Sequence, residues 1–514
     1  MATMPPDAAR HRWQHWGGLG LLSATFAATA ATSSITPTLD LQSTVTSNVL
    51  ASEGAQGKKE LINSASPGLI VDLRAGGFTA AGNGRVTWVH YTRHSQPDKV
   101  MPNGQGAAKW LLPDANAGIE STASANQVKS TFLARGSTTP TTLDTYTNAS
   151  VGVAPFVRHQ FTPNLTFDGK LSRRQTITVG EGSGLDVRPK SRVTDDRLSL
   201  AQTPQPAGWR LEWTHQATYT QQMIGPSLDE EALRLVAQHA PWPELTVGLS
   251  LGQARSQVEN FVTQDQPRGL QMDWRPSERT RLQGQVERRY YGNGWKIAAS
   301  HRSPWFALQF AADRAPTTYA AAIGTVPPGS SLKDLYSAML TTRIPDPVER
   351  AQVVDELMTR RQLSGGATGS GDLYDQRARL LQRTTGSLAF MGRRDVVTVA
   401  AGLTRSSPLS ADADPLLSLS GQATKEYHFD AQANHLLSPT MSMSGGVRWT
   451  RAWLIRQADG VGVLSRDFSW RLGLNSNLSA STTATLSLRR QIAHAPAPNN
   501  TNETAASLAL MHRF

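Results

Sequence analysis

Trp209-Arg210-Leu211-Glu212-Trp213-Thr214-His215-Gln216-Ala217-Thr218-Tyr219-Thr220 is a run with a period of two. Trp209, Leu211, Trp213, Ala217 and Tyr219 alternate with Arg210, Glu212, Thr214, Gln216, Thr218 and Thr220. Successive side chains of a β-strand point to opposite faces, so this segment has one apolar and one polar face. The pattern recurs from Ile35 to Phe514. Leu282, Gly284, Val286 and Tyr290 alternate with Arg281, Gln283, Gln285, Glu287 and Arg289. Leu419, Gly421, Ala423, Tyr427 and Phe429 alternate with Ser420, Gln422, Thr424, Glu426, His428 and Asp430. Phe468, Trp470, Leu472 and Leu474 alternate with Ser469, Arg471, Gly473 and Asn475.

Alternation alone also fits a soluble β-sandwich, and three features separate the two. The runs last roughly 10 to 14 residues, long for soluble strands and matched to a tilted membrane crossing. Tight polar turns (Arg275-Pro276-Ser277, Ser303-Pro304, Gly392-Arg393-Arg394) mix with long polar stretches (Gln257 to Arg268, Ser406 to Asp414, Gln457 to Arg466, Ala495 to Glu503), as periplasmic turns mix with extracellular loops. The polar faces carry mid-strand charges suited to a wet lumen, and aromatics gather near run ends, where an interfacial girdle belongs. The expected fold is all-β: a transmembrane barrel of an even number of antiparallel strands, roughly 18 to 22, in the outer membrane of a Gram-negative cell. Boundaries before residue 200 are poorly marked, and Leu185 to Ala207 is ambiguous.

Both ends of the chain fit this reading. Residues 1–30 read as a secretory signal peptide, with Arg10, His11 and Arg12 before an apolar stretch from Gly17 to Ala28 and a small-residue cleavage site at Ala28-Thr29-Ala30. The barrel is then 31–514. No later run reaches the ~18 apolar residues that a membrane helix needs. At the other end Ala506, Leu508, Leu510, His512 and Phe514 share one face of a last strand. Leu508, Leu510, His512 and Phe514 resemble the C-terminal assembly signal of outer-membrane barrels, His512 being less apolar than the usual occupant.

One stretch, 316–382, abandons the period of two. Leu332, Leu335, Met339 and Leu340 suit a short amphipathic helix. Asp346 and Pro347 cap a second, striped by Val348, Ala351, Val354, Leu357 and Met358, and Gly365 to Gly371 follows as a flexible link. By turn parity the insertion follows an upward strand. It is either an extracellular cap or a plug in a lumen that is otherwise open water.

The chain has 514 residues, 39% hydrophobic and 18% charged, with net charge +11 and no cysteine. It is too apolar for a disordered protein, and disulfide frameworks and thiolate metal sites are excluded. The basic residues are scattered, so no arm for nucleic acid emerges. Arg210, Arg281, Arg289, Arg448, Arg471 and Arg489 fall on polar faces. Lining one pore, they favour anionic solutes such as acidic polysaccharide. Paired instead with Glu212, Glu287, Glu426 and Asp430, they hold the wall together.

Catalytic motifs are missing: there is no phosphate-binding loop, zinc helix or nucleophile elbow. Gly180-Glu181-Gly182-Ser183-Gly184 has the wrong spacing for the last. His90 and His94 would lie ~13 Å apart along a straight strand, too far to share a metal. His215 has Ser or Thr neighbours, but nothing singles it out as a catalytic base. No catalytic, metal or cofactor residue is expected.

Trp274-Arg275-Pro276-Ser277-Glu278-Arg279-Thr280, then Arg288-Arg289-Tyr290-Tyr291-Gly292 and His301-Arg302, with Ile35-Thr36-Pro37-Thr38-Leu39, Asn48-Val49 and Ser66-Pro67-Gly68-Leu69 near the start, carry a resemblance. They look like the outer-membrane β-barrel family associated with PEP-CTERM/exosortase systems. The resemblance spans most of the chain after its first 30 residues, with Tyr291-Gly292 standing where Phe-Gly is commoner. It implies a barrel that serves exopolysaccharide or cell-envelope secretion as a channel or porin-like export component. The alternatives are a docking barrel without transport and an enzyme that modifies lipid or glycan. The expected partners are outer-membrane lipid, the barrel assembly machinery, and anionic polysaccharide or periplasmic export components.

Overall fold

The structure, a computed structural model, describes residues 32–49, 58–113, 116–129, 145–180, 190–221, 225–323, 332–341, 344, 350, 353–354, 377–409, 423–455, 462–494 and 500–514. Residues 1–30, read as the signal peptide, lie outside these. The strands are β1 (Thr32–Thr46), β2 (Glu60–Ala75), β3 (Phe78–Tyr91), β4 (Lys99–Leu111), β5 (Ala117–Lys129), β6 (Thr145–Thr162), β7 (Leu165–Gly180) and β8 (Lys190–Gln202). They continue with β9 (Ala207–Thr220), β10 (Leu228–Trp242), β11 (Leu245–Val258), β12 (Phe261–Asp265), β13 (Arg268–Ser277), β14 (Thr280–Arg289), β15 (Gly292–Arg302) and β16 (Phe306–Thr317). After helices α1 (Tyr319–Ile323) and α2 (Leu332–Leu340) come β17 (Arg379–Met391), β18 (Asp395–Pro408), β19 (Ala423–Ser438), β20 (Met441–Ile455), β21 (Gly462–Asn477), β22 (Thr482–His494) and β23 (Thr501–Arg513).

Neighbours in the chain pair antiparallel, and β1 closes on β23 from Thr38 opposite Arg513 to Thr46 opposite Ala505. β12 and β13 follow one another along β11, so 23 strands fill 22 positions of a closed wall. No described helix is long and apolar enough to cross a membrane; the crossing is made by strands. A closed ladder satisfies the backbone without water, which hydrocarbon demands. The protein is a transmembrane β-barrel of the bacterial outer membrane.

Short turns, among them Gly76-Gly77, Pro163-Asn164, Pro243-Glu244, Glu278-Arg279 and Pro439-Thr440, occupy the end at which β23 finishes. At the other end the strand ends are farther apart in the chain, Thr46 from Glu60, Gly180 from Lys190 and Pro408 from Ala423. The short-turn end is periplasmic and the long-loop end extracellular. Register then assigns every side chain. On β1, Ile35, Leu41 and Val45 face out while Asp40, Gln42 and Thr44 face in; opposite β23, the outward set is Leu508, Leu510 and His512, followed by Phe514. Leu249 and Leu251 are 62% exposed and Leu508 59%, which is the signature of a surface whose solvent is lipid.

Two expectations change. Gln257 to Arg268 is not a long loop. β11 turns tightly at Glu259-Asn260, Glu259 taking a positive φ of 54°, and β12 returns along it. The ladder then opens at Pro267, which has no N–H to give. The ambiguous stretch from Leu185 to Ala207 contains one strand, β8, paired with both β7 and β9.

Of the residues that carry the family resemblance, those from Trp274 to Arg302 meet at two places on β13–β15. At the periplasmic turn the Ser277 hydroxyl donates to Thr280 Oγ1 at 3.1 Å, Thr280 Oγ1 lies 2.8 Å from His301 Nδ1, and Arg302 Nη2 donates to the Glu278 carbonyl at 3.0 Å. At the outer turn Tyr290 and Tyr291 stack edge to face, and Gly292 takes a φ of +94° that an L side chain would strain.

Candidate functional site: the lumen and its insertion

Twenty-two strands at ~4.8 Å spacing, tilted by ~40°, enclose a circle on the order of 40 Å across, too wide for wall side chains to fill. The segment between β16 and β17 enters that space. At the extracellular end Thr318 Oγ1 lies 2.9 Å from Thr218 Oγ1 of β9. Asn148 Nδ2 of β6 donates to the Tyr319 hydroxyl at 2.7 Å, and Thr178 of β7 fixes Asn148 through its Oδ1, also at 2.7 Å. Arg174 Nη2 of β7 donates to the carbonyls of Ala321 and Ala320 at 3.1 and 3.4 Å. Val193 of β8 packs on the same two alanines. Asn148, Arg174, Thr178, Val193 and Thr218 all project inward by register, so α1 is held on a wall that begins six positions round from the strand that delivers it.

The chain then returns. Leu335, Tyr336, Met339 and Leu340 of α2 bury against Ala307, Ala389 and Val396, with Val354 completing the cluster. These three wall residues face inward at the periplasmic ends of β16, β17 and β18. The insertion therefore spans the lumen from its outer mouth to its inner end. It reaches from 318 to 378, slightly inside the expected 316–382. The second expected helix, from Asp346, falls largely outside the described residues. Sequence could not show the inward fold, because the partners of α1 lie 100 to 171 residues away in the chain.

All six arginines project inward. Five are ion-paired: Arg210 with Glu212 (3.4 Å), Arg281 with Asp273 (2.6 Å), Arg448 with Asp430 (3.1 Å), Arg489 with Glu503 (3.0 Å), and Arg289 with three carboxylates. Arg289 meets Asp265 at 3.1 Å and both Glu230 and Glu287 at 3.4 Å. Arg234 grips Glu287 with two nitrogens, at 2.7 and 3.0 Å. This network ties β10, β12 and β14 under the outer rim. Sequence named Arg289 and Glu287 but missed Arg234, Glu230 and Asp265, whose signal was their place on polar faces of neighbouring runs. Arg471 is exposed and without an ion pair among the described residues.

Above this network the Tyr291 hydroxyl is pushed up to about 12 by burial, with Glu230 and Glu287 adding to the shift and Arg289 opposing it. In the extracellular loop after β3, the His90 ring and the Tyr91 amide hold the Asp98 carboxylate below its usual range, at 2.8 and 3.1 Å. That loop also corrects the histidine distance. β3 ends at Tyr91 and His94 turns with a positive φ, so the His90 and His94 rings lie only 6.1 Å apart. Among the described residues, no group of three His, Cys, Asp or Glu is placed to hold a metal.

His215 faces outward on β9. Its Nε2 lies 3.2 Å from Asp229 Oδ1 and its Nδ1 3.5 Å from Asp196 Oδ2. Arg173 and the Ser172 amide also bind Asp196, and the Tyr219 hydroxyl donates to Asp229 at 3.1 Å. Both ring nitrogens are committed to carboxylates, which leaves none to activate a hydroxyl. The loop 181–189, with most of the Gly-Glu-Gly-Ser-Gly run, lies outside the described residues.

The fold and its occupied lumen define an outer-membrane barrel with an inward-folded insertion. No protein-family model matches the chain, and no curated protein matches it. Solved structures with a similar fold include the ferric enterobactin receptor of Pseudomonas aeruginosa (10% identity, 93% of this chain and 80% of that one, TM-score 0.44). The FrpB iron transporter of Neisseria meningitidis matches at 9% identity over 93% and 82% of the two chains, with a TM-score of 0.49. Pseudomonas aeruginosa OpdK, solved with vanillate, matches at 7% identity over 93% and 99%, with a TM-score of 0.35.

Proposed function

We propose that this barrel is a gated conduit, porin-like in architecture, in which α1 and α2 form the gate, and that it serves exopolysaccharide or cell-envelope secretion beside a PEP-CTERM/exosortase system. The observation that supports a gate is the insertion's position: α1 on the β6–β9 wall at the outer mouth and α2 on the β16–β18 wall at the inner end. The secretion context rests on the sequence resemblance alone. A non-catalytic role agrees with the lack of a free imidazole nitrogen at His215.

The cysteine-free chain offers a direct test. Thr218→Cys with Thr318→Cys replaces two hydroxyls 2.9 Å apart, within reach of a disulfide. In planar bilayers the reduced pair should pass ions in discrete openings, and the oxidised pair should stay shut until reductant is added. A barrel that remains silent when reduced and when residues 324–376 are deleted, while still running as a folded band, is a docking protein and not a conduit.

A further inference from the structure

Outside the lumen, the wall of β18–β22 carries an arrangement that neither the fold nor the gate requires. Arg405 stands directly opposite Lys425, and Arg451 directly opposite Arg466; all four project outward. Like charges facing each other across a strand pair are destabilising. Here two such pairs sit on neighbouring strand pairs, offset by two residues along the strand, so their centres are ~12 Å apart. None of the four has an ion pair among the described residues. The outward positions of these strands carry a single carboxylate, Asp395, which is at the periplasmic end and bound to His435 at 2.6 Å. Carboxylates on this wall, such as Glu426, Asp430 and Asp467, point inward.

Aromatic rings fix the depth of the cations. Phe429, Trp449 and Phe468 form one outward row across β19–β21, the girdle that marks the hydrocarbon boundary. The cations lie just above it, toward the extracellular end. Lys425 Nζ lies 5.0 Å from the Tyr427 ring, and the Arg451 guanidinium lies 4.5 Å from that of Trp453. Arg451 Nε is buried without a hydrogen-bond partner. A donor held on an aromatic ring, shielded from water and faced by another cation, needs an anion.

We propose that this face binds a lipid of the outer leaflet that carries two phosphates, Arg405 with Lys425 taking one and Arg451 with Arg466 the other, while the acyl chains lie against the aromatic row. The site commits to lipid and not to free phosphate because the cations stand at the edge of an apolar wall, where a ligand with a hydrocarbon body completes the contact.

The full-length barrel in neutral detergent is titrated with lipid A bearing both phosphates, with enzymatically dephosphorylated lipid A and with phosphatidylglycerol, and bound lipid is counted by native mass spectrometry. The wild type should prefer the bisphosphorylated form about tenfold or more over each of the others. Lys425→Gln with Arg451→Gln should abolish that preference, and Lys425→Arg with Arg451→Lys should keep it. Removing the charges should also raise the unfolding temperature without lipid A and lower it with lipid A, a reversal that a purely structural role does not produce. Equal binding of the phosphorylated and dephosphorylated forms, or an unchanged double variant, overturns the proposal. Displacement of lipid A by millimolar inorganic phosphate would assign a free anion and overturn the lipid. Should the double variant fail to fold, Arg405→Gln with Arg466→Gln, on the more exposed members of the two pairs, is read by the same assay.

Discussion

Replacing Arg289 by Met tests the ion-pair network under the outer rim. The Arg289 side chain is 7% exposed, and Glu230, Asp265 and Glu287 crowd around it at 13, 13 and 7%. Methionine keeps most of the volume and removes the charge, leaving three carboxylates to share Arg234. Taking one partner from a buried pair costs ~3–5 kcal/mol. Arg234 still binds Glu287, while Ser256 and the Tyr290 amide still hold Glu230 and Asp265. The lower bound therefore applies, about 3 kcal/mol or roughly a hundredfold in the folding equilibrium. Barrels of this size unfold slowly, so the assay is the unfolding rate in urea, followed by tryptophan fluorescence in micelles. Arg471→Met is the internal control: an exposed lumen arginine without an ion pair should move stability by less than about 0.5 kcal/mol. Equal losses for the two variants would refute the idea that this network, and not lumen charge in general, ties β10, β12 and β14 together.

Other outcomes follow from single positions. Leu508→Arg, on the lipid face, should cost ~2–4 kcal/mol and lower the heat-modifiable folded fraction, while Ala509→Arg, on the lumen face one residue on, should be tolerated; reversal of that order would invert the barrel wall. Phe514→Ala should slow membrane assembly without changing the unfolding rate of the barrel that does form, as measured by pulse-chase heat modifiability. The wild-type minus Tyr291→Phe difference in absorbance at 295 nm should show one tyrosine ionising near pH 12. Because the folded value is raised above the ordinary one near 10, stability from this group is whole below pH ~10 and drains as the medium is taken through 12. Asp98 has the opposite sign. Its folded carboxylate is depressed, so its hold on His90 and the Tyr91 amide should persist above the usual carboxylate range and be released only in stronger acid, read from the Tyr91 amide resonance.

The wall was legible in the sequence because the membrane imposes a two-state choice at every residue. Once Trp209 and Leu211 are assigned to lipid, Arg210 has to face the lumen, and the same parity placed Arg281, Arg289, Arg448, Arg471 and Arg489. Parity fails where the ladder is interrupted. Phe261 to Asp265 carry no alternation, Phe261 sharing a face with Asp265 and Val262 with Gln264, so with Pro267 and the polar flanks a five-residue strand reads as a loop. The histidine spacing failed in the opposite way, by assuming that β3 runs on past Tyr91. The insertion was legible as helical from Leu335, Met339 and Leu340, but a stripe of apolar residues says only that something covers it. That the cover is Ala307, Ala389 and Val396 at the far end of the barrel depends on packing between distant segments, which no local pattern encodes.

The two attachments of the insertion differ in kind, and this sets an order on any motion. At the mouth, Thr318, Tyr319 and the α1 carbonyls are held mainly through hydroxyl, amide and guanidinium contacts, each of which a water molecule can replace. At the inner end Leu335, Met339 and Leu340 lie in an apolar seat that water cannot mimic. Heat or chaotrope should therefore loosen the segment from the cell's exterior first, with α2 acting as the anchored end of a tether and α1 as its detachable clasp.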